Sequence, residues 1–426
     1  MGPGQSGAGG SDGFPLSSQA SLIYDYVNRR FYTRDAALNT GFTEGTFASN
    51  HTLTNNGNGS FVGSNGRIQQ QAANLPRYDY NPVTLAANGL LVEEARTNLI
   101  LRSNDFTNVV WGKNNSTITG DTTTSPDGTA NADTITATAT SLAYVSQDTA
   151  ALTTGLNYTA TACVKAGSKN FFAFAFFGHA DVFFDLVNLT TNHSGANFVS
   201  ADIKDIGNGW RKVTATWTKD AGATYRLFMA IASSLSSFSG LTIGDTLFYY
   251  GAELDQGSFS DSLIPTAASS VTRTIDANSH TLGSEYNAAA GTYIVTAIAP
   301  NNTTANATVL QIDDGTNNNR IRIYRDTSGH AICDVVVAGV SQASFDLGAW
   351  TALTSAKIGI GFSANSFKAC MNGGAVSTDV SGSVPTVTTL RAGQNATSAE
   401  VLNSTIALIE GFPTLLSDAN LRAALT

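Results

Sequence analysis

Apolar and polar residues alternate with a period of two along most of this chain. In VTATWTKD, Val213, Ala215 and Trp217 oppose Thr214, Thr216 and Thr218. In RIRIYRD, Ile321 and Ile323 alternate with Arg320 and Arg322, with Arg325 following. KIGIGFSANSFKACMNGG sets Ile358, Ile360 and Phe362 on one face, turns at Ala364-Asn365 and returns. Such alternation buries one face of an antiparallel sheet and leaves the other wet. Between these runs lie Asp313–Asn319 (DDGTNNN), Gly207–Gly209 (GNG) and Ser125–Gly128 (SPDG), which carry hairpin and turn chemistry. Helical periodicity is clearest in SDANLRAAL at the C-terminal end, where Ser417 caps and Leu421 and Leu425 share a side.

The pattern predicts an all-β fold of tandem antiparallel β-sandwiches of the jelly-roll kind. With 426 residues there is room for two. The expected division is a flexible Gly/Ser-rich arm at 1–18, a smaller N-terminal region at 19–95, a first sandwich at 96–268, a linker at 269–287 and a second sandwich at 288–426. The GPGQSG of the arm fits a dinucleotide fingerprint only formally, because no strand precedes it and no helix follows.

Composition narrows the functional classes. Hydrophobic residues make up 42% of the chain, enough for real cores, and the formal net charge is −9 with no basic run. Nucleic-acid binding needs a basic patch to neutralise phosphates, so no nucleic-acid partner is expected. No secretory signal and no apolar run of the roughly 18 residues that span a membrane is present, so a soluble chain with no membrane insertion is expected. Cys163, Cys333 and Cys370 are far apart and without metal-ligand spacing. They read as buried structural thiols in a chain folded in a reducing cytoplasm.

Charge concentrates at one place. GLLVEEARTNLI, from Gly89 to Ile100, carries Glu93, Glu94 and Arg96 after a short buried run, with Arg77 a little upstream. Adjacent residues on a strand point to opposite faces, so Glu93 and Glu94 do not flank one glycosidic bond as acid and base. The expectation is structural: one glutamate pairs with Arg77, Arg96 or a backbone amide, while Asn98 satisfies a turn.

The same stretch resembles a signature of tail, fibre and head-spike proteins of tailed bacteriophages and prophages. Its parts are Pro76 to Thr84 (PRYDYNPVT), Gly89 to Leu99, Ser103-Asn104-Asp105-Phe106 and Trp111. Ser125–Asp133, Val164–Gly167, Gly207–Val213 and Gly251–Thr266 resemble successive landmarks of that family's carbohydrate-binding-module-like jelly roll, with Leu263 where an aromatic is usual. Val271–Arg273 and Tyr286–Thr292 resemble the hand-over to a concanavalin-like lectin sandwich, whose central hairpins GAWTALTSAKIGIGFSANSFKACMNGG resembles. The resemblance covers about 60–426. It implies a virion structural protein, as head spike or fibre or as tail fibre or tip, that binds host cell-surface polysaccharide. It further implies an attachment and oligomerisation role for 19–95, a homo-oligomer (a trimer), contacts with other virion proteins and a place on the virion surface. Catalysis is not implied. The alternatives are a capsule depolymerase and a bacterial surface adhesin.

No enzyme motif is found: serine elbow, HExxH and P-loop are missing. His51, His179, His193, His280 and His330 are scattered without metal-ligand spacing and read as surface residues. No metal and no cofactor is expected; QIDDGTNNNR has calcium-type oxygens but reads more simply as a hairpin turn. Sugars are held by aromatic faces and a few polar groups. The four tryptophans, Trp111, Trp210, Trp217 and Trp350, read as core. NFFAFAFFGHADVFFDL is the more suggestive run: Phe172, Phe174 and Phe176 share one face, and Phe171, Ala173, Ala175 and Phe177 the other. Phe172, Phe174 and Tyr144 are the expected lining of a glycan groove, with His179 and Asp181 at its rim.

Overall fold

Alternating runs with small or turn-forming residues between them pair with their neighbours into antiparallel sheets, and every pairing described below is antiparallel. The computed structural model describes residues 19–149, 152–176, 181–221, 225–301 and 304–426. The fold is all-β, with sheets stacked as sandwiches. The expected arm at 1–18 lies outside the described residues.

Two six-stranded sheets enclose the first core. One, the aromatic sheet, has the spatial order Gly112–Asn114, Ala143–Asp148, Arg226–Ala232, Phe171–Phe176, Asp181–Asp185 and Thr190–Ser194. The other, the threonine sheet, runs Ser116–Thr123, Ala132–Ala137, Thr246–Gln256, Asn157–Ala166, Trp210–Thr218 and Phe198–Asp205. Phe172, Phe174, Phe184, Leu227, Met229 and Ile231 face inward from the first, against Ala160, Ala162, Val213, Ala215, Trp217 and Tyr249 of the second. Phe172 meets Phe174 edge-on at 4.8 Å and Tyr249 at 5.6 Å. Burying each such side chain contributes about 1.5–3 kcal/mol. All four tryptophans are buried.

The second sandwich departs from the expected division. Leu22–Asp25 lies between Arg30–Thr33 and Ser404–Phe412, with Tyr24 opposite both Phe31 and Ile409. Ala87–Val92 pairs with the other end of that late strand, Leu90 opposite Ile406. Thr52–Thr54 extends the facing sheet beside Ala277–Thr281. The 19–95 region is therefore no separate piece; its strands complete the sandwich built by 290–412. The expected linker is also structured: Val271–Arg273 pairs with Arg96–Asn98. The reason is burial on both faces. Leu22 to Asp25 are buried at all four positions, because Leu22 and Tyr24 enter the sandwich core while Ile23 packs outward under the C-terminal helix. That helix, Asp418–Ala424, is capped by Ser417 Oγ, which accepts from the Asn420 amide at 3.2 Å, and buries Leu421 and Leu425 beside Ile23. Gly89 has φ +106°, and a Cβ there would stand 2.1 Å from the Ile406 carbonyl oxygen. Only glycine admits that approach.

The jelly roll is thus an insertion within one sandwich whose strands come from both sides of it. Cys163, Cys333 and Cys370 are buried and unpaired by disulfide. No helix of the described residues is long and apolar enough to cross a membrane.

Candidate functional site

The outer face of the aromatic sheet is set by the phase of two alternating strands. In Arg226–Ala232, Leu227, Met229 and Ile231 point to the core, so Phe228, Ala230 and Ala232 point out. In Phe171–Phe176, Phe172 and Phe174 are core, so Phe171, Ala173 and Ala175 point out. Register places Ser146, Phe228, Ala175 and Asp181 in one row across four strands, and Tyr144, Ala230, Ala173 and Phe183 in the next. Tyr144 and Phe228 form a partly open edge-to-face pair at 4.9 Å. Farther along the face Ala173, Ala230 and Phe183 are buried; Leu235 and Phe238 of the loop after Arg226–Ala232 pack over Ala173 and Phe183, with the Phe183 and Phe238 rings tilted at 4.9 Å. Ala175 and Asp181 are half-buried, and burial raises the Asp181 carboxyl above its ordinary range. At the rim Arg226 donates to Asp148 through Nε at 2.5 Å and Nη2 at 2.9 Å.

This corrects the expected groove. Phe172 and Phe174 are fully buried in the jelly-roll core, where Phe184, Tyr249 and Trp217 enclose them, and neither lines an open surface. Tyr144 and Asp181 do lie on the outer face. His179 lies outside the described residues. Phe228 was missed, although RLFMAIA carries the same bulky-and-small alternation as FFAFAF and sets Phe228 on the same face as Ala173 and Ala175.

The charged stretch forms a buried hub where the two sandwiches meet. Arg77 donates through Nη1 to Glu93 Oε2 at 2.6 Å and to the Ser60 carbonyl at 2.8 Å, and through Nη2 to Asp276. Arg273, with 1% of its side chain exposed, reaches Glu93 at 3.0 Å and Asp261 at 2.6 Å. Ser262 gives Glu93 two hydrogen bonds, from N at 2.8 Å and Oγ at 2.6 Å. Burial alone would raise the Glu93 carboxyl; Arg273, Arg77 and Ser262 outweigh it and bring it down to about 2. Glu94 pairs with Arg96 at 2.7 Å and links to Asn403 of the second sandwich at 3.0 Å. Arg96 also holds Asp255. Asn98 donates to the carbonyls of Ala252 and Ile264 and accepts from the amides of Ile100 and Leu254. Glu93 and Glu94 are therefore joints of the fold, bound to different arginines.

A cleft of about 580 Å³ opens beside the hub. Asp79, Tyr80, Asn88, Asp202, Lys204 and Lys212 line it together with Glu93 and Asp261 of the hub. Asp313 of the QIDDGTNNNR turn accepts from Arg391 Nε at 2.8 Å and from the Gly315 amide at 2.8 Å. Asp314 accepts from the Thr316 amide at 2.9 Å, so this loop spends its carboxylates on the hairpin. Two histidines depart from the surface reading. His51 is buried among Tyr24, Tyr26, Phe31 and Phe47, and burial, followed by His280, lowers its pKa to about 3. His280 pairs with Glu285 at 2.9 Å.

No family model and no curated protein matches the sequence. Among solved structures the chain is similar to the Ruminococcus gnavus IT-sialidase CBM40 bound to alpha2,3 sialyllactose, at 17% identity and TM-score 0.29, over 33% of this chain and 83% of that one. It is similar to the N-terminal CBM22-1-CBM22-2 tandem domain of Paenibacillus barcinonensis Xyn10C at 9% identity and TM-score 0.26, over 76% of this chain and 100% of that one. It is also similar to Trypanosoma rangeli sialidase in complex with the inhibitor DANA, at 8% identity and TM-score 0.29, over 68% of this chain and 60% of that one. Likeness at this level says nothing of what this chain binds.

Proposed function

We propose that this chain is a structural protein of a tailed-bacteriophage particle that holds host cell-surface polysaccharide on the outer face of its aromatic sheet without cleaving it. The observation that carries the binding reading is the partly open Tyr144–Phe228 pair beside half-buried Ala175 and Asp181 on that face. Aromatic rings stack against the C–H faces of a sugar, and Asp181 with the Arg226–Asp148 pair offers polar contacts at the edge. The virion reading rests on the ordered motifs from Pro76 through Thr292. In this reading the chain sits on the virion surface as a homo-oligomer, a trimer, anchored to other virion proteins through its N-terminal region. Weak single sites then gain avidity from many copies.

The test is binding of purified protein to polysaccharide extracted from a susceptible host. Tyr144→Ala and Phe228→Ala are each expected to weaken it by roughly tenfold, the equivalent of about 1.4 kcal/mol, with the circular dichroism spectrum unchanged. Undiminished binding by both variants removes this face from the reading. Shortened polysaccharide chains after incubation would instead establish a depolymerase.

A further inference from the structure

The outer face of the threonine sheet carries an unusual set of acids. Glu253 and Asp255 are two apart on Thr246–Gln256 and so share that face, and Asp261 comes back over it from the following loop. All three are buried, and one oxygen from each lies within 4.8 Å of those from the other two. Each carboxylate spends one oxygen on the protein. Glu253 Oε2 accepts from the Ile264 amide at 3.3 Å, Asp255 Oδ1 from Arg96, and Asp261 Oδ2 from Arg273 at 2.6 Å. The second oxygen of each, Glu253 Oε1, Asp255 Oδ2 and Asp261 Oδ1, has no hydrogen-bond partner.

A fourth, uncharged group independently indicates the same point. Thr161 is the cross-strand partner of Glu253, which sets its side chain beside that carboxylate on the same face. It is 1% exposed and its hydroxyl, too, has no partner. Neighbouring Thr159, opposite Asp255, is by contrast satisfied by Thr216 and the Gly257 carbonyl. A buried oxygen without a donor destabilises the fold, and more so when charged. Four at one place call for a shared partner.

The ion pairing has the same sense. Around the hub, the carboxylates of Glu93, Glu94, Glu253, Asp255, Asp261 and Asp276 face the guanidiniums of Arg77, Arg96 and Arg273 and the ammonium of Lys212, whose Nζ donates to the Asp261 carbonyl. Of these six carboxyls Glu253 alone makes no ion pair with those cations.

We infer that Glu253, Asp255, Asp261 and Thr161 form a site for one divalent cation of calcium size. An all-oxygen donor set selects the hard cations and disfavours zinc. Mg²⁺ dehydrates reluctantly and keeps several waters, whereas Ca²⁺ accepts flexible sets of protein oxygens, so a buried all-protein donor set suits calcium. The cleft that reaches Asp261 is the entry path. A cation here joins the last jelly-roll strand to the segment that leads back into the second sandwich, and so clamps the insertion to its host.

The whole protein, stripped with EGTA and passed through gel filtration after adding back CaCl2, is expected to retain one equivalent of calcium by elemental analysis. Its unfolding midpoint should rise by about 5–10 °C at a hundredfold excess over Kd, with a smaller rise in MgCl2. Glu253→Gln is expected to abolish the calcium response while leaving the stripped midpoint equal or higher, since it removes one of three crowded charges. Thr161→Val, which deletes only a hydroxyl, should weaken calcium retention several-fold. No retained cation and no calcium-dependent shift in the unmodified protein overturns the site, whatever the variants do. An infrared band of a protonated carboxyl that is present in the stripped protein, unchanged by calcium and lost in Glu253→Gln overturns it as well, by assigning a proton to the position.

Discussion

The two sheets of the jelly roll share one core and the same period-two grammar, yet their outer faces have opposite fates. The aromatic sheet points Tyr144, Phe228 and half-buried Ala175 outward, and among the described residues no second sheet lies over them. The threonine sheet points Thr159, Thr161, Thr214 and Thr216 outward, and all four are buried. Alternation predicts a wet face there; instead the segment after Gln256 and the hub close over it. An apolar outer face left partly open at Tyr144 and Phe228 and a polar one largely covered reverse the usual arrangement of a sandwich. The first invites a ligand. The second demands that every hydroxyl and carboxylate be satisfied internally.

Breaking the sealed face should cost most. Arg273→Ala strands Glu93 and Asp261 without their guanidinium, and loss of one partner from such a buried network costs about 3–5 kcal/mol, read as a lower urea midpoint. A loss under about 1 kcal/mol would mean that water reaches the hub. Phe172→Ala tests the shared core: it should cost about 3–5 kcal/mol, whereas Phe228→Ala, one strand away on the open face, should cost about 1 kcal/mol or less. Equal losses would erase the distinction between the faces.

An intermediate effect concerns acidity. His51 is held neutral among aromatic rings, near His280 and the Tyr26 hydroxyl, which lies 3.3 Å from its Nε2. Its folded pKa, about 3, lies below the unfolded value near 6.5, so the unfolded chain binds the extra proton first. Stability from this group is therefore complete above pH 6.5 and falls by up to about 1.4 kcal/mol per unit below it, down to about pH 3. Glu93 acts in the same direction lower down, losing its contribution between about 4.5 and 2. His51→Phe should flatten the decline between pH 6.5 and 5 in chemical denaturation. A slope equal to that of the unmodified protein would show that His51 is not the source. The smallest effect is expected from Arg226→Ala at the open rim, where both partners are about half exposed; there about 0–1 kcal/mol is at stake.

Much of this was legible in the residues, for identifiable reasons. Strict alternation in Trp210–Thr218 and Ser355–Ser363 marks strands because side-chain direction has a period of two. Ser417, Leu421 and Leu425 mark the final helix. That one of Glu93 and Glu94 pairs with an arginine or a backbone amide follows from the cost of burying charge; that both pair with arginines is visible only in the fold. What failed was what alternation does not encode. FFAFAF offers two equivalent faces, and only the partner strands decide that Phe172 and Phe174 go inward. LIYD does not alternate in burial because a helix covers its second side, so its membership in the second sandwich was hidden. The grouping of Glu253, Asp255 and Asp261 was passed over because GAELDQGSFSD reads as a landmark of scaffold, and the loop that brings Asp261 back is visible only in three dimensions.

The shared late strand has a consequence for biosynthesis. Ser404–Phe412 is translated near the end, yet it must insert beside Leu22–Asp25 and Ala87–Val92, both made near the start. At roughly 5–20 residues per second, those early hairpins emerge from the ribosome and keep one edge unzipped for tens of seconds. The contiguous jelly roll, from Gly112 to Gln256, can meanwhile close on itself. Nascent chains are thus most prone to illicit strand exchange before Ser404 appears, and a premature stop just upstream of it releases a finished jelly roll hanging from an unfinished host.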